Sequence, residues 1–143
     1  MLVTAGSHGS FNTMTASWGG LGVLWSKKVS FIVIRPSRYT YEFIERSASY
    51  SLSFFEEKNR DALMLCGSKS GRDMDKVKEA GLTAVTDDGP IYFKEARLVM
   101  QCRKLYFQDL QPVNFLDGSI EKNYPQKDYH RWYVGEITRC LTH

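Results

Sequence analysis

The sequence predicts a mainly β domain, an antiparallel barrel with short helices inserted between its strands. Three observations lead there: short β-patterned runs recur along the 143 residues, the helical patterns between them are brief, and the two do not alternate strictly as βαβ units would.

The elements follow in order. Met1 to Ala5 has the pattern of a strand that begins at once, and so abrupt a start gives the expectation that a short N-terminal segment is missing. Phe11 to Trp18, FNTMTASW, alternates Thr and Ser with larger residues and runs into Gly19, Gly20 and Gly22, which reads as a strand followed by a turn-rich loop. Val29 to Arg35 is a continuous apolar strand of the kind covered on both faces. Pro36 turns the chain out of it, Ser37 or Thr40 offers an N-cap, and Tyr41 to Arg46 is a short helix. Ser49 to Phe55 alternates again, with Tyr50, Leu52 and Phe54 on one face. Glu56 to Cys66 carries a helical stripe of Ala62, Leu63, Leu65 and Cys66. The run from Gly67 to Gly71 breaks it, and Arg72 to Ala80 resumes helical spacing until Gly81. Strands are expected at Leu82 to Thr86, Ile91 to Phe93 and Ala96 to Phe107. Gln108 to Asp128, with Pro112, Asp117-Gly118 and Pro125, is irregular, and His130 to Cys140 closes the domain as a strand.

Composition narrows the function. The chain is one domain's length, 43% hydrophobic and 24% charged, and no run approaches eighteen apolar residues, so a membrane span is not expected. No basic and apolar leader is visible after Met1, which makes the cytoplasm the expected location. Cys66, Cys102 and Cys140 are far apart and odd in number, which supports neither a disulfide framework nor a zinc ribbon, so they read as core thiols and no metal is expected. A net charge of +3 is too mild to suggest nucleic acid.

The basic residues matter by position. Arg35 and Arg38 stand where a strand hands over to a helix N-terminus, an end that already carries partial positive charge. Either they are solvated or paired with Glu42, Glu45 or another carboxylate, or they complete a phosphate cradle with nearby hydroxyls and free N–H groups. A second segment, CGSKSGRDMDK from Cys66 to Lys76, has the same character: two glycines and two serines, with Lys69, Arg72 and Lys76 for charge. It lacks the P-loop spacing. Two such loops suggest one phosphate held from two sides. The third stretch, Ser10 to Gly20, places Asn12, Thr13, Thr15, Ser17 and Trp18 together, as an edge-strand hydroxyl ladder or as a ligand wall. No Ser-His-Asp, Cys-His or H-E-x-x-H arrangement is present. His8 sits in a polar turn and His143 is terminal, which leaves His130 as the one histidine in a plausible site or, equally, a structural strand-edge residue. Trp25 and Trp132 read as core or subunit contacts.

With these stretches in view the chain resembles the flavin reductase-like family of FMN-binding split β-barrels. The matching residues are NTMTASW (Asn12 to Trp18), IRPSRYTYEFIE (Ile34 to Glu45), CGSKSGRDMDK with Gly81-Leu82, and YHRWYVGEI (Tyr129 to Ile137), nearly the whole chain in order. The resemblance implies a single antiparallel Greek-key domain over residues 1–143 that forms a homodimer with FMN near the interface. It implies that Asn12, Thr13, Met14 and Thr15 line the flavin ring, with Ser17 in the same run and Trp18 at the border. Arg35, Ser37, Arg38, Tyr39 and Thr40 would meet the phosphate and ribityl chain, as would Ser68, Ser70, Arg72 and Lys76. His130 matches a family histidine near flavin or nicotinamide. The implied activity is transfer of hydride from NADH or NADPH to flavin, which in turn reduces a small molecule or small protein. A flavin carrier without a nicotinamide site is the alternative, and a module that keeps the cradle for another phosphorylated ligand is a third. The Gln108 to Asp128 insertion belongs to the variable part of the family.

Overall fold

A computed structural model describes residues 1–142; His143 lies outside the described residues. The strands are β1 (Leu2–Ser7), β2 (Ser10–Thr15), β3 (Gly19–Leu24), β4 (Lys27–Ile34), β5 (Ser49–Phe54), β6 (Ala84–Val85), β7 (Tyr92–Phe93), β8 (Leu98–Asp109) and β9 (Arg131–Thr142). The helices are α1 (Tyr39–Arg46), α2 (Arg60–Ser68) and α3 (Lys76–Glu79). Seven strands form one sheet in the order β2-β1-β5-β8-β9-β4-β3, and β6 pairs with β7 as a separate hairpin. All pairings are antiparallel.

The sheet curls because its inward side chains must share one core. Met14 of β2 and Ala16 just beyond it belong to the same buried cluster as Ile32 and Ile34 of β4, together with Val3, Leu52, Cys102 and Tyr133. No β2–β4 ladder joins those strands among the described residues. The barrel is therefore closed by side chains and split along that seam, in agreement with the expected split β-barrel. Phe43 and Ile44 of α1 seal one end of this core. On the outer face, Ala62 and Cys66 of α2 pack with Leu2, Leu82 and Phe93 in a second cluster.

Several local expectations are corrected. Gly19, Gly20 and Gly22 belong to a strand rather than a loop, paired in register from Gly19↔Ile32 to Leu24↔Lys27. The turn that makes this possible places Trp25 and Ser26 at φ 53° and 58°, both positive as a two-residue I′ hairpin requires. β3 shows no apolar alternation because Gly19 to Val23 are all exposed. The expected Arg72 to Ala80 helix shrinks to α3, and α2 runs past Gly67 to Ser68. Neither Ser37 nor Thr40 caps α1: the N-cap position is Arg38, with no side-chain cap. Thr40 lies inside the helix and accepts a hydrogen bond from Asn12 instead. The Leu82 to Thr86 strand is only Ala84–Val85. No helix among the described residues is long and apolar enough to cross a membrane.

Candidate functional site

Two cavities meet at Met14. The first, about 130 Å³, lies between the N-terminus of α1 and the loop after α2, and takes in Asn12, Ser37 to Thr40, Ser68 to Gly71 and Lys76. The second, about 300 Å³, lies on the split seam between Thr15 to Trp18, Val33, Arg35 and His130. One residue of β2 thus divides an anion-lined recess from an aromatic-walled one.

The first cavity is built for negative charge. Lys76 is only 4% exposed, and its Nζ donates to the Cys66 carbonyl at 3.1 Å. Burial pulls its pKa down, and Arg38 adds to that. Arg38 donates from Nη2 to the Gly67 carbonyl at 2.9 Å and is itself depressed by burial, then by Arg35. Neither cation forms an ion pair with a described residue. A buried cation without a counter-ion is costly, and an anionic ligand in the cavity removes that cost. Hydroxyls complete the lining. Ser70 Oγ accepts from Arg72 N–H at 3.2 Å, which leaves its own proton free. Thr40 Oγ1 accepts from Asn12 Nδ2 at 2.8 Å and likewise keeps a proton to donate. The uncapped first turn of α1 adds backbone N–H groups on the same side. Gly71 is required by close approach, since a Cβ there would fall on Asn12 Oδ1 and lie 3.2 Å from Tyr39 Cδ1.

The second cavity has a neutral histidine in its wall. Burial, and then Arg35, draw the His130 pKa from 6.5 to about 4, against the opposing pull of Asp128. Tyr124 OH lies 2.8 Å from its Nδ1, and the Trp18 ring stands 5.0 Å from its ring at 43°. Arg35 spans the same wall. Its Nη1 meets both Asp128 oxygens at 2.9 and 3.1 Å, its Nη2 donates to the Asn123 carbonyl at 2.7 Å, and its guanidinium lies 5.0 Å from the Tyr124 ring centre. Ser37 Oγ also donates to Asp128, at 3.3 Å. The segment between β8 and β9 is thereby tied down over the seam.

Most of the residues singled out from the sequence are gathered by these two cavities. Thr13 is not: it is fully buried, and its hydroxyl meets Thr4 Oγ1 at 3.0 Å and the Val3 carbonyl at 3.2 Å. Alternation along β2 turns Asn12 and Met14 to the cavities and Thr13 away from them. Thr15 reaches the second cavity while its hydroxyl donates to the Leu63 carbonyl of α2. Arg72 lines neither cavity; it pairs with Glu42 and covers the Tyr39 ring at 4.6 Å. Trp25 stands 6.1 Å from Tyr106 and Trp132 stands 5.7 Å from Phe31, both away from the cavities. The close approach expected of the glycines in Cys66 to Lys76 is met at Gly71, whereas Tyr124 and Asp128 were not singled out and sit in a stretch whose only sequence signal was irregularity. No group of three or more potential metal ligands is present among the described residues.

The flavin reductase like domain profile matches residues 1–143. No protein of curated function matches by sequence. Among solved structures, the chain is similar to the FMN-binding protein of Thermus thermophilus, at 19% identity and TM-score 0.78 over 99% of this chain and 70% of that one. It is similar to the flavoredoxin of Methanosarcina acetivorans, at 22% identity and TM-score 0.75 over 99% and 67% of the two chains. It is also similar to nitrilotriacetate monooxygenase component B of Bacillus cereus, at 14% identity and TM-score 0.77 over 99% and 67%.

Proposed function

Because the chain belongs to the flavin reductase-like family, we propose that it binds FMN across the two cavities and reduces it with NADH or NADPH. The observation that carries this reading is Lys76: a buried cation with no carboxylate partner, beside Arg38, in a cavity walled by serine hydroxyls. A phosphomonoester is the anion that suits such a recess. If three charge-assisted contacts contribute about 1.5 to 3 kcal/mol each, they approach the roughly 8 kcal/mol of a micromolar complex before any ring is buried.

When bound, the flavin supplies the hydride-accepting ring. The chain's own part is to bind and orient. Arg38, Lys76, Ser70 and Thr40 hold the phosphate end, Met14 marks the passage, and Thr15 to Trp18 with His130 wall the ring end. His130, neutral at physiological pH, offers that ring a hydrogen bond without adding a charge. No nucleophile is needed.

The reading extends to a homodimer. Leu21, Val23 and Trp25 of the edge hairpin are 53%, 75% and 56% exposed, with Tyr106 and Phe107 exposed on β8. Trp18, at the mouth of the second cavity, is 48% exposed and continues directly into β3. A second copy covering this face would also cover the cavity mouth.

The test is anaerobic mixing of FMN-loaded protein with NADH and then NADPH. Bleaching of the bound flavin within seconds with either one supports the reductase. Flavin that binds but stays oxidised with both supports a carrier instead. Light scattering of Val23→Glu reads the dimer: the wild type runs at twice the chain mass and the variant at once.

A further inference from the structure

Lys76 lines two cavities at once. One is the anion recess; the other, about 600 Å³, opens beyond it between β2, α1 and the turn before α3, with Phe11, Tyr39 and Phe43 in its wall. The side chain is almost wholly buried, so its amine is reached only through the cavities it lines. Its Nζ makes one hydrogen bond, to the Cys66 carbonyl, and no carboxylate among the described residues holds it in the ammonium form. Burial lowers its pKa, which enlarges the unprotonated share. A lysine desolvated beside a second cation is an activated amine of the kind that condenses with carbonyls.

We propose that Lys76 is a covalent site for phosphorylated aldehydes, which the recess seats by their phosphate and the amine captures by their carbonyl. The amine nitrogen adds to the carbonyl carbon, the carbonyl oxygen leaves as water with the two protons of the neutral amine, and an imine remains. No oxidant or reductant enters the step. Arg38, Ser70 and Thr40 keep the phosphate, and the imine nitrogen, once protonated, restores a cation beside it. An aromatic aldehyde matches better than an aliphatic one, because Phe11, Tyr39 and Phe43 offer it ring surface. The inference rests on the anion recess that the flavin reading also uses, and it makes such an aldehyde a competitor of FMN. Lys69 lines the same recess but is exposed, so it serves as the internal comparison.

The experiment treats the full chain, freed of bound flavin, with pyridoxal 5′-phosphate, traps imines with cyanoborohydride and maps the modified lysines by peptide mass spectrometry. Lys76 is expected to react about tenfold faster than Lys69, and about tenfold faster with this probe than with pyridoxal, which lacks the phosphate. Lys76→Met should lose the fast reaction and Lys69→Arg should keep it, both melting as the wild type or above. Modification spread over exposed lysines without preference for Lys76, or equal rates with the two aldehydes, overturns the proposal. Excess FMN should slow the reaction at Lys76 about tenfold. FMN that binds to a chain whose Lys76 stays unmodified sinks the aldehyde site alone. Fast modification of Lys76 in a chain that binds no FMN upholds the aldehyde site and sinks the flavin reading.

Discussion

Tyr124 OH and His130 Nδ1 lie 2.8 Å apart, and both residues are buried. With the imidazole neutral, one arrangement satisfies both groups: the phenol donates to Nδ1, and the ring proton sits on Nε2. The reverse leaves the phenol proton without a described acceptor, at a cost of about 1 to 3 kcal/mol. Nε2, which has no protein partner among the described residues, is then the donor that His130 presents to the second cavity. The expected result is a 15N spectrum showing the Nε2–H tautomer in the wild type and a mixture of tautomers in Tyr124→Phe. A wild-type spectrum showing the Nδ1–H form would reverse the assignment.

The same histidine makes stability depend on pH. It titrates near 6.5 when unfolded and near 4 when folded, so the unfolded chain takes up the proton first. Stability is complete above pH 6.5 and is lost as pH falls toward 4, by at most about 3 kcal/mol. Denaturant melts from pH 7 to 4.5 should show that slope in the wild type and a flatter one in His130→Gln. Carboxylates such as Asp128, held below their usual range chiefly by the Arg35 hydrogen bond against the cost of burial, act at lower pH.

Lys76 illustrates a conflict between stability and binding. Replacing it with Met keeps the length of the stem and removes a buried charge, so the flavin-free protein should be at least as stable as the wild type, by up to about 1 kcal/mol. FMN affinity should fall at least tenfold, since a charge-assisted contact is worth about 1.5 kcal/mol or more. Arg38→Ala should weaken binding by more than about 1 kcal/mol on the same ground. A Lys76→Met protein that binds FMN as tightly as the wild type would falsify the cradle.

Asp128 is the clasp of the segment between β8 and β9, holding Arg35 and Ser37 together. Asp128→Ala should speed hydrogen exchange across residues 112–130 and leave α1 unchanged, at a cost of about 1 to 2 kcal/mol. Exchange that rises equally in both regions would mean that the clasp supports the whole domain.

How much of this was legible beforehand differs from part to part. β4, β5, β8 and β9 announce themselves because they bury apolar side chains. β3 does not, because its exposed GGLGV run carries no periodicity and becomes a strand only by pairing with β4. The cradle was legible as chemistry: hydroxyls, glycines and cations in two loops. Its geometry was not. Nothing in the spacing shows that Lys76 is sealed while Arg72, four residues earlier, faces outward, because an irregular turn from Gly71 to Asp75 separates them. Thr13 misled because hydroxyl content says nothing about which face of β2 it occupies. Tyr124 was hidden because a buried aromatic within a proline-broken loop has no period to betray it.

The two cavities also order events at the ribosome. The walls of the two cavities draw on residues 12 and 14–18, on residues 33, 35 and 37–40, on residues 68–71 with Lys76, and finally on His130. β9, which zips to both β8 and β4, follows all of these residues in the chain. A nascent chain that has completed α3 already carries every cation of the anion recess, yet the strand that holds β4 in place has not left the exit tunnel. Capture of a ligand spanning the seam can therefore come only after β9 has been made, and a bound cofactor reports that β9 is in place.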